Sequence, residues 1–372
     1  MSSKSKQRIL FVLPSLQGGG AEKVVLNVIN KIDRNKYHPV LFLFVNEGVY
    51  LNKLPSYLEV NYALEAGKSF TKNSFKVINK LKKQALQSSL IVSSLELTTT
   101  YFSIIAGLMA KKPTVGWIHI DIAEFHVSKK FSHKILLKML YPHLRSAIAV
   151  SEGVEEAVIK VIPKLKGKTE VIYNPLPVKE IREYAEEPNS FVVDSPLIIA
   201  AGRLTYQKSF DYLIRCHARL ISKGVNHRLV ILGEGEEKVN LLRLIKELNM
   251  EKSVFLAGFQ DNPYSWIKKA DIFVLSSRFE GFGMVIAEAM ALGIPIISTD
   301  CPSGPAEILE DGKYGVLVKS QDENSMCIAI ESMLLDKGKI KFYQHQSLER
   351  IKEFNEDNVI PKFDSLFGKI IN

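Results

Sequence analysis

Gln17-Gly18-Gly19-Gly20-Ala21-Glu22-Lys23-Val24-Val25 follows the apolar run Ile9-Leu10-Phe11-Val12-Leu13. Beyond the glycines, Val24, Val25, Val28, Ile29 and Ile32 recur at helical spacing. Three glycines at a strand-to-helix junction mark an α/β unit. Such junctions suit phosphate, because the first amides of a helix and its dipole favour an anion. Two phosphate motifs are excluded here: the P-loop ends in Gly-Lys-Ser/Thr, and the dinucleotide fingerprint needs a small residue where Lys23 stands. A tight turn with glycines at positive φ accounts for the run by itself equally well, so the rest of the chain decides.

With 372 residues, 46% of them hydrophobic and 24% charged, the chain has the composition of a soluble protein and the length for two domains. Its three cysteines, Cys216, Cys301 and Cys327, form no Cys-x-x-Cys pair, which argues for a reducing compartment, the cytoplasm, and against structural zinc. The best candidate for a membrane span, 104–110, falls far short of the ~18 apolar residues required. Lys4 to Arg8 before Ile9 to Leu13 has the outline of a signal peptide, but the apolar part is shorter than ~7 residues and Pro14 ends it, so it reads as a first strand.

The net charge of +9 is unevenly spread: residues 1–183 hold 27 Lys and Arg against 14 Asp and Glu, whereas the remainder holds 22 against 26. No aromatic-interleaved basic tract, zinc spacing or nucleic-acid module accompanies the basic half, so nucleic acid is not expected as a partner. An anionic membrane surface or a phosphorylated substrate fits better.

Strand-like runs alternate with helix-length segments twice over: near 9–13, 40–45, 90–94, 114–118, 147–151 and 170–173, then near 197–201, 228–232, 253–257, 271–275, 295–298 and 315–318. This predicts an α/β protein of two doubly wound parallel-sheet domains, Rossmann-like, facing a central cleft lined by strand C-termini. The polar break 183–196 reads as the interdomain linker. The expected domains are 1–185, completed by a C-terminal helix at about 354–372, and 190–353.

Ala201-Gly202-Arg203-Leu204-Thr205-Tyr206-Gln207-Lys208 sets a guanidinium and an ammonium at a strand end. Arg203 can grip phosphate oxygens with two parallel hydrogen bonds, and Lys208 adds a mobile point charge. Two solvated surface cations are the bland alternative. A second phosphate-facing element is Ser276-Ser277-Arg278-Phe279-Glu280-Gly281-Phe282-Gly283-Met284, leading into the helix that Gly293 and Pro295 stop. Seven residues separate Glu280 from Glu288, which lies among Ala287, Ala289 and Met290, where a carboxylate needs partners such as ribose hydroxyls unless it lies on an exposed helix face.

At these residues the chain resembles the retaining glycosyltransferases of family 4, of the GT-B fold, marked by Glu-x7-Glu, here Glu280 to Glu288. Gly18-Gly19-Gly20-Ala21-Glu22, Trp117-Ile118-His119, Asn174-Pro175 and Gly202-Arg203 with Lys208 extend the resemblance over almost the whole chain. It implies that Gly18 and Gly19 approach the donor diphosphate and the acceptor, and that Arg203 and Lys208 neutralise the diphosphate. Glu288 would hold the ribose, Glu280 and the backbone from Phe282 through Gly283 and Met284 to Val285 the donor sugar and phosphates. His119 would lie at the reacting centre, although a lone histidine after an apolar strand also serves structural hydrogen bonding. His126, His133 and His143 read as surface residues.

The resemblance further implies front-face transfer with retention, Glu280 acting as a positioning and electrostatic residue. No Asp-x-Asp signature or clustered metal ligands occur, so neither metal nor other cofactor is expected. The loop Ser298-Thr299-Asp300-Cys301-Pro302-Ser303-Gly304-Pro305-Ala306-Glu307 resembles that of UDP-sugar users. The expected partners are a nucleotide-sugar donor, most simply a UDP-sugar, and a lipid-linked saccharide acceptor. Two other readings use the same cleft: a nucleotide-sugar epimerase, and a non-catalytic nucleotide-binding protein. Finally, 74–87 sets Lys76, Lys80, Lys82 and Lys83 beside Phe75, Ile78, Leu81 and Leu86, and 127–144 sets Lys129, Lys130, Lys134 and Lys138 beside Phe131, Ile135, Leu136 and Leu140. Both predict cationic amphipathic helices that attach the basic N-terminal domain peripherally to the anionic inner face of the plasma membrane.

Overall fold

Strands as apolar as Ile9 to Leu13 and Val40 to Phe44 must be covered on both faces, and in the computed structural model, which describes residues 6–122, 131–189, 191–192 and 195–372, both runs are buried. The chain forms two compact units, residues 1–175 with 357–372 and residues 176–356.

The first unit is built on a seven-stranded sheet of order β3-β2-β1-β4-β5-β6-β7. Its strands are β1 Gln7–Leu13, β2 Tyr37–Asn46, β3 Glu59–Glu65, β4 Leu90–Ser93, β5 Thr114–Ile118, β6 Ser146–Ala149 and β7 Thr169–Val171. All neighbours run parallel, with Gln7 opposite Tyr37 and Ile9 opposite Leu90. The two-residue period divides β1 between the faces. Leu10 and Val12 join Val77, Leu81 and Ala106 in one core cluster. Phe11 meets Phe367, ring centroids 6.1 Å apart.

Phe367 belongs to the last helix, Glu356–Ile371, whose Phe363 also lies 4.8 Å from Trp117, ring to ring. Tyr37 adds a hydrogen bond from its hydroxyl to the Asp364 carbonyl at 3.0 Å. Fully buried aromatic side chains of this size dominate core energetics, which explains why the C-terminus is held on this sheet.

Sequence reading overlooks β3, because only Ala63 and Leu64 of its seven residues are buried and an edge strand need not be apolar. The polar segment 183–196 is not a connector between units. The chain changes unit at 175–176, and helix Val178–Ala185 already packs on the second unit. Arg182 Nε donates to the Ala291 carbonyl at 2.9 Å, and Asn262 Nδ2 to Tyr184 O and Glu187 Oε2, both at 2.7 Å. Among the segment's described residues Tyr184, Glu186 and Glu187 take part in such bonds, and composition alone does not distinguish them from solvated ones.

The second unit repeats the architecture with six parallel strands, ordered β10-β9-β8-β11-β12-β13. They are β8 Leu197–Ala201, β9 Arg228–Leu232, β10 Val254–Gly258, β11 Ile272–Leu275, β12 Ile296–Asp300 and β13 Val316–Lys319. Under β9 lies a polar chain: His217 and His227, 1% and 3% exposed, share a 2.9 Å hydrogen bond, and His217 Nε2 pairs with Ser253 Oγ at 2.9 Å.

Burial, with the His227 charge second, holds His217 down to about 3, and burial likewise depresses His227. Both are neutral when folded, so the unfolded chain binds more protons below pH ~6.5. The stability they contribute is complete above that pH and is lost as pH falls toward about 3. Denaturant titration at pH 7 and pH 5 should show a loss of about 2 kcal/mol attributable to His217, absent from His217→Gln. Equal losses in both proteins would refute the coupling.

Candidate functional site

In each sheet the strand order reverses beside the first strand of the unit, between β1 and β4 and between β8 and β11. Helices crossing from such a pair leave to opposite faces and open a crevice at the strand C-termini. Of the residues singled out in the sequence, Gly18 and Gly19 follow β1, Arg203 and Lys208 follow β8 and Glu280 follows β11, whereas His119 follows β5 and Glu288 lies within the helix after β11.

In the second unit, β8 runs into Gly202 and Arg203, a short turn at Tyr206–Lys208, and helix Phe210–Ser222. From β11 the chain passes through Ser276 to Gly283 into helix Met284–Ala291. Gly283 is the N-cap, at φ 91°, and Gly304 at φ 85° brings its backbone so close to Phe282 that a Cβ would lie 2.3 Å from the Phe282 carbonyl oxygen. A side chain at Gly304 would force the turn apart, and one at Gly283 would have to hold a left-handed φ.

The two loops are stitched together. Lys208 Nζ donates to Glu280 Oε1 at 2.6 Å, and Ser277 Oγ donates to the same oxygen at 2.6 Å. Ser276 Oγ donates to the Lys208 carbonyl, Arg278 N to the Gln207 carbonyl and Gln207 Nε2 to the Phe279 carbonyl, each at 2.8 Å. The Lys208 and Glu280 side chains are only 16% and 8% exposed, so Lys208 is not the solvated loop cation that its position suggests. Arg203, by contrast, is exposed and has no ion-pair partner among the described residues.

Glu288 is half-buried, and Oε1 accepts from the Tyr264 hydroxyl at 3.0 Å. The Phe282 side chain turns inward against Phe354, centroids 5.4 Å apart, so from Phe282 to Val285 the backbone is what this helix start can offer a ligand. Cys301 is inert: burial, then the Glu280 charge, push its thiol up to about 12. Ser277 and Tyr264 carry no pattern that marks them in the sequence. They matter because they hold the two glutamates.

In the first unit, the amides of Gly18 and Gly19 both donate to Glu22 Oε2, at 2.8 and 3.2 Å. Glu22, 7% exposed, is the third residue of helix Gly20–Lys31 and reaches back over the helix start to satisfy these amides. The amides that the glycine loop could turn toward an anion thus already hold a carboxylate. What Gly18 and Gly19 leave open is close approach without a side chain.

His119 lies one residue past β5, 8% exposed, its ring 4.9 Å from that of Trp117. Burial depresses it to about 3, so the imidazole is neutral. One ring nitrogen has the Ser94 carbonyl as partner and must carry the proton. Nε2 is buried with no hydrogen-bond partner among the described residues and keeps a lone pair for a hydroxyl. The His119 amide donates to Glu96 Oε2 at 3.1 Å.

Of the other histidines, His143 is exposed and His126 lies outside the described residues. His133 is not a surface residue: half-buried, it sets its ring 6.0 Å from that of Tyr101. Among the described residues no group of three or more His, Cys, Asp or Glu could hold a metal ion.

Residues 182–354 match the family described as glycosyl transferases group 1. Along 367 residues the chain is 30% identical to the N-acetylgalactosamine-N,N'-diacetylbacillosaminyl-diphospho-undecaprenol 4-alpha-N-acetylgalactosaminyltransferase of Campylobacter jejuni, covering 94% of this chain and 96% of that one. It is 21% identical to the amylovoran biosynthesis glycosyltransferase AmsD of Erwinia amylovora, covering 97% and 99%. The fold is similar to that of Anabaena HepE, solved with UDP, at a TM-score of 0.83 and 20% identity over 98% of this chain and 100% of that one. The chain belongs to the group 1 glycosyltransferases, with the two Rossmann-like domains of the GT-B fold.

Proposed function

We propose that the chain transfers a hexose or N-acetylhexosamine from a UDP-sugar to a lipid-linked glycan during assembly of a cell-surface polysaccharide, with retention of configuration and without metal. The carrying observation is the Lys208–Glu280 pair at the strand-order reversal of the second unit, with the exposed Arg203 five residues earlier. Two relatives support the substrates: the Campylobacter enzyme is named for a diphospho-undecaprenol acceptor, and the Anabaena protein was solved with UDP-glucose.

In this reading Arg203 and Lys208 grip the diphosphate, Glu288 the ribose hydroxyls, and the helix start from Phe282 to Val285 adds amide dipoles. The bond from the anomeric carbon to the phosphate oxygen breaks and its electron pair stays on the diphosphate. Fixed cations stabilise that charge as it develops. The acceptor oxygen bonds to the same face of the sugar, and its proton passes to the leaving phosphate. Glu280 steadies the sugar beside the positive charge that develops on it, and the neutral His119 accepts a sugar hydroxyl through Nε2.

A screen of nucleotide sugars read by nucleotide release, with and without lipid-linked oligosaccharide, tests the reading. Release should require the acceptor and persist in EDTA. Product from nucleotide sugar alone would favour the epimerase, and UDP binding without turnover a non-catalytic role.

Lys208→Ala should weaken UDP binding about 10- to 100-fold, as loss of a charged hydrogen bond does. It also leaves Glu280 buried without its cation, so stability should fall by about 3–5 kcal/mol. Adding Glu280→Gln should restore stability but not UDP affinity. Glu280→Gln alone should lower kcat more than UDP affinity. Unchanged turnover in either single variant would remove that residue from the site.

The same reading places the first unit on an anionic membrane. Helix Ser74–Leu86 buries Val77, Leu81 and Ala85, so Phe75, 80% exposed, and Leu86 stand outside with Lys76, Lys80 and Lys83. The inward stripe thus differs from the expected one, of which only Leu81 is buried. Helix Phe131–Leu140 buries Leu137 and exposes Ile135, Leu136 and Met139 next to Lys138. Lys129 and Lys130 lie outside the described residues. Each lysine near an anionic surface is worth about 1 kcal/mol, and no described helix is long and apolar enough to cross a membrane. Flotation should recover the protein with phosphatidylglycerol vesicles at low salt and not with phosphatidylcholine alone. Recovery unchanged by reversing Lys76, Lys80, Lys134 and Lys138 to Glu would sink the idea.

A further inference from the structure

Beyond the carboxyl ends of β4 and β5 lies an acidic side chain that none of the roles above uses. Residues 94–97 leave the carboxyl end of β4 and enter helix Thr98–Ala110 through Leu97, whose backbone sits at φ 57°, ψ −119°. A branched, non-glycine residue adopts such angles only where its surroundings enforce them, and such strain collects at functional sites. Here the enforcement is visible. The Leu97 amide donates to the hydroxyl of the fully buried Tyr141 at 2.9 Å, and the Leu95 carbonyl accepts from Ser93 and Thr100 hydroxyls at 3.1 and 2.8 Å.

What this bend presents is Glu96. Oε2 accepts the His119 amide at 3.1 Å, so the carboxylate lies across the C-terminal ends of β4 and β5, beside the histidine whose Nε2 awaits a hydroxyl. Half-buried, Glu96 is pushed toward the neutral form by desolvation, and the donated His119 amide works the other way and favours the carboxylate. Capping the His119 amide needs one oxygen and no strained loop, and a fixed carboxylate is the group that grips neutral sugar hydroxyls.

We propose that Glu96 binds a hydroxyl of the acceptor saccharide and thereby sets which acceptor sugar the first unit accepts. This rests on the glycosyl-transfer reading above and deepens it. The hydroxyl donates to the carboxylate, no bond breaks, and the transferred proton of the reaction goes elsewhere. Glu96 is a specificity residue whose second duty is to position the start of the His119 loop.

Glu96→Gln separates the two duties, because the amide oxygen still accepts from His119 while the charge is lost. With the UDP-sugar found active and octyl α-N-acetylgalactosaminide as probe, acceptor KM should rise about 10- to 100-fold, the range of a charged hydrogen bond, with UDP affinity retained. A set of monodeoxy forms of that glycoside supplies the readout that a structural role would not move. One deoxy form should be poor for the wild type and lose nothing further in Glu96→Gln. A uniform loss with every glycoside, or none, would overturn the proposal. Saturation-transfer NMR of the glycoside alone needs no turnover: its signal should vanish in Glu96→Gln, and equal signals would overturn the proposal too. Glycoside binding by a wild type that transfers no sugar counts against the transfer reading alone, leaving the NMR comparison to decide on Glu96.

Discussion

The ion pair between Lys208 and Glu280 is the constraint around which the second unit's site is arranged. Burying two opposite charges costs several kcal/mol for each ion unless geometry and further hydrogen bonds offset it. The structure supplies those bonds: Ser277 on the same carboxylate oxygen, and Ser276, Gln207 and Arg278 joining the loops on either side. Removing one partner would leave the other stranded, so the loops after β8 and β11 are fixed in register. A lysine held in this way is preorganised, and a diphosphate meeting it need not first order a flexible side chain.

The first unit solves its version of the problem differently. Its glycine loop also presents amides at a helix start, but Glu22 of the same helix satisfies them, so no ligand is needed to hold the loop. Its polar centre instead joins the ends of β4 and β5, where Glu96 receives the His119 amide and a neutral imidazole keeps one free nitrogen. The unit with the basic surface thus has an uncharged histidine and a desolvated carboxyl group at its strand ends. The acidic half of the chain has the cations there. Charge counted over a whole half says where a surface is attracted, not what its site binds.

How much of this the sequence discloses depends on whether a feature is local. Strands buried on both faces, such as β1 and β8, announce themselves as apolar runs, whereas β3, an edge strand with two buried residues, does not. Glu280 and Glu288 are legible because their spacing is fixed within one turn and one helix. Glu96 and Tyr264 are not, since their partners lie 23 and 24 residues away and nothing nearby marks the pairing. The polar segment 183–196 misleads for the same reason: its hydrogen bonds go to Asn262 and Lys268, across sequence distances that composition cannot see.

Helix 74–86 shows the limit of periodicity itself. Phe75, Leu81 and Leu86 suggest one apolar face, but the positions that meet the sheet are Val77, Leu81 and Ala85, four residues apart. Smaller side chains were chosen for the packed side, and the largest one was left in water. A core at crystal-like density selects for fit as much as for hydrophobicity, so the bulkiest residue of an amphipathic helix is not always its anchor.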